Sequence, residues 1–102
     1  MIKINASCIS PNPKDDPQEW AVELLCDGGS KTNFQVTLNN DFYIKLTGGS
    51  KSPEELVRAS FEFLLERESK ESILRSFNLY EIQRYFPEFE KVIPQRLSKH
   101  LY

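Results

Sequence analysis

Apolar and polar side chains alternate through much of the first forty residues. Ile2, Ile4, Ala6 and Cys8 share one parity, as do Trp20, Val22, Leu24 and Cys26, then Phe34, Val36 and Leu38, with mostly polar residues between them. A period of two sends successive side chains to opposite faces of an extended chain, so the pattern predicts three half-buried strands over about 2–9, 19–26 and 33–39. Between the first two runs, Ser10-Pro11-Asn12-Pro13-Lys14-Asp15-Asp16-Pro17 combines prolines with turn formers and reads as a surface loop. Between the second and third, Gly28 and Gly29 supply the positive φ angles that a hairpin needs. A hairpin closed about Gly29 and Ser30 sets Cys26 opposite Phe34, Leu24 opposite Val36 and Val22 opposite Leu38, which gathers the apolar side chains on one face. Antiparallel pairing of the first two strands puts Cys8 near Trp20 and Ile2 near Cys26.

Residues 39–49 carry two patterns at once. Phe42, Ile44 and Leu46 alternate like a strand, whereas Asn39 as a cap, Phe42 and Leu46 at i,i+4 and a closing Gly48 fit two helical turns; the short helix is the expectation. From Ser52 the period is helical. Ser52-Pro53-Glu54-Glu55 places a capping serine before a proline at the first helical position and a glutamate at the third. Leu56, Ala59, Phe63 and Leu64, flanked by Val57 and Phe61, then form a wide apolar stripe opposite Arg58, Glu62 and Glu66, over a helix of about 53–68. A short helical turn is expected at Ser72–Arg75. Asn78-Leu79-Tyr80-Glu81 repeats the capping arrangement and opens a helix over about 78–86. Pro87 starts a last one, about 87–98, which Pro94 interrupts near Ile93.

The expected architecture is therefore one α+β domain over 1–102, a three-stranded antiparallel sheet with one face covered by C-terminal helices. A chain of 102 residues with 39% hydrophobic and 27% charged positions is large enough for one core and lies outside the regime of disorder. The net charge of -2 supplies no positive field for nucleic acid or anionic membrane, and the sequence contains no apolar run long enough to span a bilayer. A cytoplasmic location is expected, with Cys8 and Cys26 reduced and buried, because the strand register holds their Cα atoms at opposite ends of the ladder, beyond disulfide reach.

Candidate chemistry is sparse. Glu62 and Glu66, spaced i,i+4 beside Glu55, are a possible pair for a small metal-dependent enzyme, but Arg58 and Lys70 lie among them and a solvated, ion-paired face is the expectation. His100 is the lone histidine, too little for a triad or a three-ligand metal site, and both thiols fall on the core face. Gly48-Gly49-Ser50-Lys51-Ser52 lacks phosphate-loop spacing and reads as a helix-entry loop. No catalytic residue, metal site or cofactor is expected. Arg75, Arg84, Lys91, Arg96 and Lys99 interleave with Tyr80, Tyr85, Phe86 and Phe89 in a pattern suited to RNA, yet Glu81, Glu88 and Glu90 nearly neutralise it. Phe77, Tyr80, Tyr85, Phe86, Phe89 and Tyr102 together exceed what one small sheet face needs as cover. An interaction surface formed by Tyr80, Arg84, Tyr85, Phe86, Phe89 and Arg96 is the expectation.

The strings Pro53-Glu54-Glu55-Leu56-Val57-Arg58, Ser60–Glu68, Ser72-Ile73-Leu74-Arg75-Ser76-Phe77 and Tyr85-Phe86-Pro87-Glu88 resemble a family of short prokaryotic proteins, which implies a stand-alone small domain and no particular activity. The strands leading into a Ser/Glu-capped helix are also similar to HicB-type antitoxins; this chain departs from them in having helices where a fourth strand would return. Together these readings give the expectation of a non-enzymatic interaction or regulatory protein, of which an antitoxin-like subunit is one form, that binds a protein partner or itself through the C-terminal helices. An RNA-binding accessory protein and a small enzyme using Glu62 and Glu66 are the alternatives.

Overall fold

A computed structural model of the protein describes residues 2–12 and 14–98. In chain order the elements are β1 (Lys3–Cys8), β2 (Gln18–Leu25), β3 (Lys31–Leu38), α1 (Asn40–Thr47), α2 (Pro53–Arg67), β4 (Ser76–Asn78), α3 (Ile82–Tyr85) and α4 (Phe89–Ser98), with single 3-10 turns at Lys70–Ser72 and Leu79–Glu81. The period-two runs form strands as their pattern dictates. Ile4, Trp20, Val22, Leu24, Phe34, Val36 and Leu38 are buried on one face, while Lys3, Asn5, Glu19, Asn33 and Gln35 are exposed on the other.

The sheet has four strands rather than three, in the order β1-β2-β3-β4, with β1, β2 and β3 antiparallel and β4 parallel to β3. The helical turn expected at Ser72–Arg75 falls earlier, at Lys70–Ser72, and Ser76–Asn78, up to the expected start of the next helix, is a strand. Strand β4 is only three residues long, too short to show a period, and its place is set by β3, whose Gln35 N–H donates to Arg75 O at 2.8 Å. The expected β1–β2 register holds, with Cys8 opposite Trp20. The hairpin is shifted: Val22 faces Phe34 and Leu24 faces Thr32, four residues earlier on β3 than the predicted Val36. Positive φ at Gly28 and Gly29 turns the chain there, and Cys26 N–H reaches Ser30 O at 2.9 Å. Four is an even shift, so the same side chains are buried with different neighbours.

Neither thiol is buried. Both cysteines are free, as expected, but Cys8 is exposed at the end of β1, and Cys26 lies beyond β2, half-buried, accepting a hydrogen bond from Lys70 Nζ at 3.1 Å. Parity fixes the face a residue occupies; it does not fix how far the covering helices reach along that face.

Residues 40–47 are helical, closed by Gly48 at φ 63°. Asn39 occupies the cap position, but the N–H of Asn40 is satisfied from the proline loop, where Asp16 Oδ1 accepts it at 2.9 Å. Asn39 instead accepts from Asn78 Nδ2 at 2.7 Å, which ties α1 to the end of β4. Helix α2 opens with the expected capping box: Ser52 Oγ accepts from Glu55 N–H and the Glu55 carboxylate accepts from Ser52 N–H. Two of the amides that a phosphate loop would use, those of Ser52 and Glu55, are occupied in this way.

Helix α2 is central to the core. Phe61 packs against Phe34 and Phe77 of the sheet, with ring centroids 5.2 and 6.0 Å away, while Phe63 packs against Phe89 and Phe86 at 5.1 and 6.0 Å. Residues two apart on a helix point about 200° apart, so α2 is sandwiched, with the sheet on one side and α4 on the other. This second interface takes up two of the aromatics that a single sheet face did not need, Phe86 and Phe89. Phe42 of α1 joins it, 6.3 Å from Phe89. Helix α4 continues through Pro94, contrary to the expected interruption, because Phe89, Ile93 and Leu97 recur every fourth residue and are all buried. Their burial outweighs the loss of one main-chain hydrogen bond. Among the described residues, no helix is long and apolar enough to cross a membrane.

Candidate functional site

The predicted contact residues do not form one surface. Phe89 is fully buried between α2 and α1, which removes it from any contact surface. Arg96 lies elsewhere, near β1, where its Nη2 donates to Glu66 Oε1 at 2.6 Å. Tyr80 is 48% exposed, its ring edge-on to Phe42 at 5.6 Å. The structure does bring together Tyr85 and Phe86, with Arg84 beside them paired to Glu81 at 3.0 Å.

Tyr85 and Phe86 line a cleft of roughly 370 Å³ between the end of α2, the segment leading into β4, and α3. Ile73, Phe77, Ile82 and Phe86 supply its apolar lining, and Leu74 and Tyr85, 57% and 68% exposed, stand at its surface. Local structure explains the exposure of Leu74. After the 3-10 turn the chain is extended, so adjacent Ile73 and Leu74 point to opposite sides; Ile73 enters the core and Leu74 is left in solvent. Sequence reading missed Leu74, Ile73 and Ile82 as lining residues, although the adjacent pair Ile73-Leu74 in an extended segment was a signal that one of the two is outside. The charged residues in the lining are Glu68 and Glu81, of which Glu81 is paired with Arg84.

The other candidate chemistries are dispersed. Glu62 and Glu66 border a separate open groove beside β1. Glu66 accepts from Arg96 and, at 3.4 Å, from Arg67, and the Arg96 hydrogen bond holds its carboxyl below the ordinary carboxylate range. Among the described residues, no three of His, Cys, Asp and Glu are gathered as a metal site requires. Of the cations in the suspected RNA pattern, Arg84 is paired with Glu81 and Arg96 with Glu66; outside that pattern, Arg67 is paired with Glu88 at 3.2 Å and Lys45 with Glu90 at 2.8 Å. Glu88 is held acidic by its own backbone N–H and then by Arg67, and Lys45 is held basic by its hydrogen bond to Glu90. Arg67 also stacks 3.6 Å over the Phe63 ring, and Arg75 lies 5.7 Å from Phe34. Lys99, His100 and Tyr102 lie outside the described residues.

Fold and site define an α+β domain with a mixed sheet, a central helix and one apolar cleft flanked by acids. Comparison with protein-family profiles, with curated proteins and with solved structures finds no match to the chain.

Proposed function

We propose that this chain is a non-enzymatic protein-binding module, and that its cleft between α2, β4 and α3 receives a short partner segment with apolar anchors and basic flanks. The supporting observation is the pairing of Leu74 and Tyr85, both largely in solvent, at the mouth of an apolar cleft. Large exposed apolar side chains beside a concave apolar surface are the usual form of a contact site, and aromatic anchors carry much of the affinity at such sites. Glu68 biases the partner toward lysine or arginine next to its anchors, Glu81 being paired with Arg84. An antitoxin-like or other regulatory subunit is the biological form this reading takes.

Selection from a displayed library of random peptides tests the proposal. The expected result is enrichment of peptides with two apolar residues and a neighbouring Lys or Arg, whose binding is lost in Leu74→Asp while the folded circular dichroism spectrum is kept. Failure to enrich any such peptide, or undiminished binding by Leu74→Asp, contradicts it.

A further inference from the structure

The strand order leaves two sheet edges, β1 and β4, and they offer different chemistry. In an antiparallel ladder, residues bonded to the neighbouring strand alternate with residues whose main-chain groups point away. Ile9 N–H donates to Glu19 O at 2.8 Å. Followed along the β1–β2 register, the alternation bonds Ser7, Asn5 and Lys3 to β2 and turns the N–H and C=O of Ile4, Ala6 and Cys8 outward. The β2–β3 hairpin agrees, because Cys26 N–H bonds Ser30 O, which assigns the even residues of β2 to β3 and its odd residues to β1.

Among the described residues, strand β1 thus presents open main-chain groups along an edge six residues long. It contains no proline, its register is unbroken and Lys3 is its one charge. Protein sheets ordinarily blunt such an edge with charge, proline, a bulge or shortness. Strand β4, at the other edge, has only three residues and runs directly into a 3-10 turn. The β1 segment also leaves apolar groups in solvent: Ile2 is 38% and Ile9 46% exposed, and Cys8 is exposed too.

We infer that β1 pairs with β1 of a second copy of this chain, antiparallel about a two-fold axis at Ala6, joining two sheets into one. In this register Ala6 faces its own copy, Ile4 faces Cys8, Asn5 faces Ser7 and Lys3 faces Ile9. The residues that exchange main-chain hydrogen bonds are all even-numbered, and their side chains all lie on the helix-covered face. Both helical layers therefore fall on the same side of the joined sheet, and the polar faces run together on the other. The small side chain of Ala6 leaves room at the axis, and the two Lys3 side chains sit at opposite ends of the paired strands. The flank suits a second copy as well. The groove of roughly 510 Å³ beside β1 is bordered by Lys3, Arg58 and Arg96 together with Glu62 and Glu66, so a copy arriving in reversed order meets both signs of charge. The surface is independent of the proposed cleft, and a dimer built through β1 carries two free clefts.

Sedimentation velocity over rising protein concentration, combined with Ala6→Pro, tests the inference. Proline removes an N–H that β2 does not use, so the variant keeps the monomer fold on an edge strand and weakens the dimer by about tenfold or more. In parallel, hydrogen exchange at Ile4, Ala6 and Cys8 in the unaltered protein slows as concentration rises, while Asn5 and Ser7 stay protected throughout; this reading holds even if Ala6→Pro fails to fold. A protein that stays monomeric at high concentration overturns the inference. So does a dimer that survives Ala6→Pro, or one that is broken by Leu74→Asp, since both place the contact away from β1. Peptide capture by the cleft is read separately and is not altered by any of these results.

Discussion

The two edges of the sheet meet the same difficulty, unsatisfied main-chain groups, in opposite ways. At β4 the strand is three residues long, its Phe77 ring is seated on Phe61, and the exposed apolar surface nearby consists of side chains around a cleft. At β1 the strand is twice as long, and its outer side carries the outward-turned main-chain groups of Ile4, Ala6 and Cys8. Side-chain surface can discriminate among foreign partners by shape and charge, whereas a bare strand edge recognises another strand and is satisfied by a copy of itself. On the proposed readings, one small sheet carries two recognition surfaces of different kinds, at opposite edges with β2 and β3 between them.

The largest effects are expected where side chains rather than backbone seat the short edge. Phe61→Ala removes the ring beneath Phe34 and Phe77 and is expected to cost about 3–5 kcal/mol in guanidinium unfolding, with faster exchange of the Gln35 amide that holds β4 to β3. Phe89→Ala should lose a similar amount, about 3–5 kcal/mol, because Phe89 fills the space between α2 and α1; a change near zero would return Phe89 to the surface. Tyr85→Ala should alter stability by no more than about 0.5 kcal/mol while weakening a cleft-bound peptide by about 2 kcal/mol, measured by titration calorimetry. The contrast between Phe89 and Tyr85 separates core from contact surface.

The smallest effect belongs to the ion pair beside β1. A double-mutant cycle on Glu66→Gln and Arg96→Gln should give a coupling of about 0.5–1 kcal/mol near neutral pH, because Glu66 is well solvated. Folding lowers the Glu66 pKa below its ordinary value, so the stabilisation is present above the ordinary carboxylate range and is lost as pH falls through the lowered folded value. Cycles measured at neutral and strongly acidic pH check this sign: a coupling that grows on acidification contradicts it.

Much of this fold was legible in the sequence because burial imposes parity. Val22, Leu24, Phe34 and Val36 were assigned to the inner face from alternation alone, and the Ser52–Glu55 cap fixed the start of α2. What was not legible depends on tertiary contact. The hairpin register follows from where Gly28 and Gly29 turn the chain, and an even slip leaves the alternation unchanged. Strand β4 has no period of its own. Tyr85 and Phe89 are spaced like neighbours on one helix, but they belong to α3 and α4 on either side of Pro87, so one stands in solvent and the other fills the core. Of the expected contact residues, Tyr85 and Phe86 line the cleft; Leu74 escaped notice because its exposure arises from a short extended segment between elements.

Amide shift mapping on one isotopically labelled sample tests the division of labour between the two edges most directly. Addition of a peptide selected for the cleft is expected to move the signals of Leu74, Phe77, Tyr85 and Phe86 and to leave Ile4, Ala6 and Cys8 in place, while raising the protein concentration without peptide does the reverse. Peptide-induced shifts centred on β1, or concentration-dependent shifts centred on the cleft, would contradict the account.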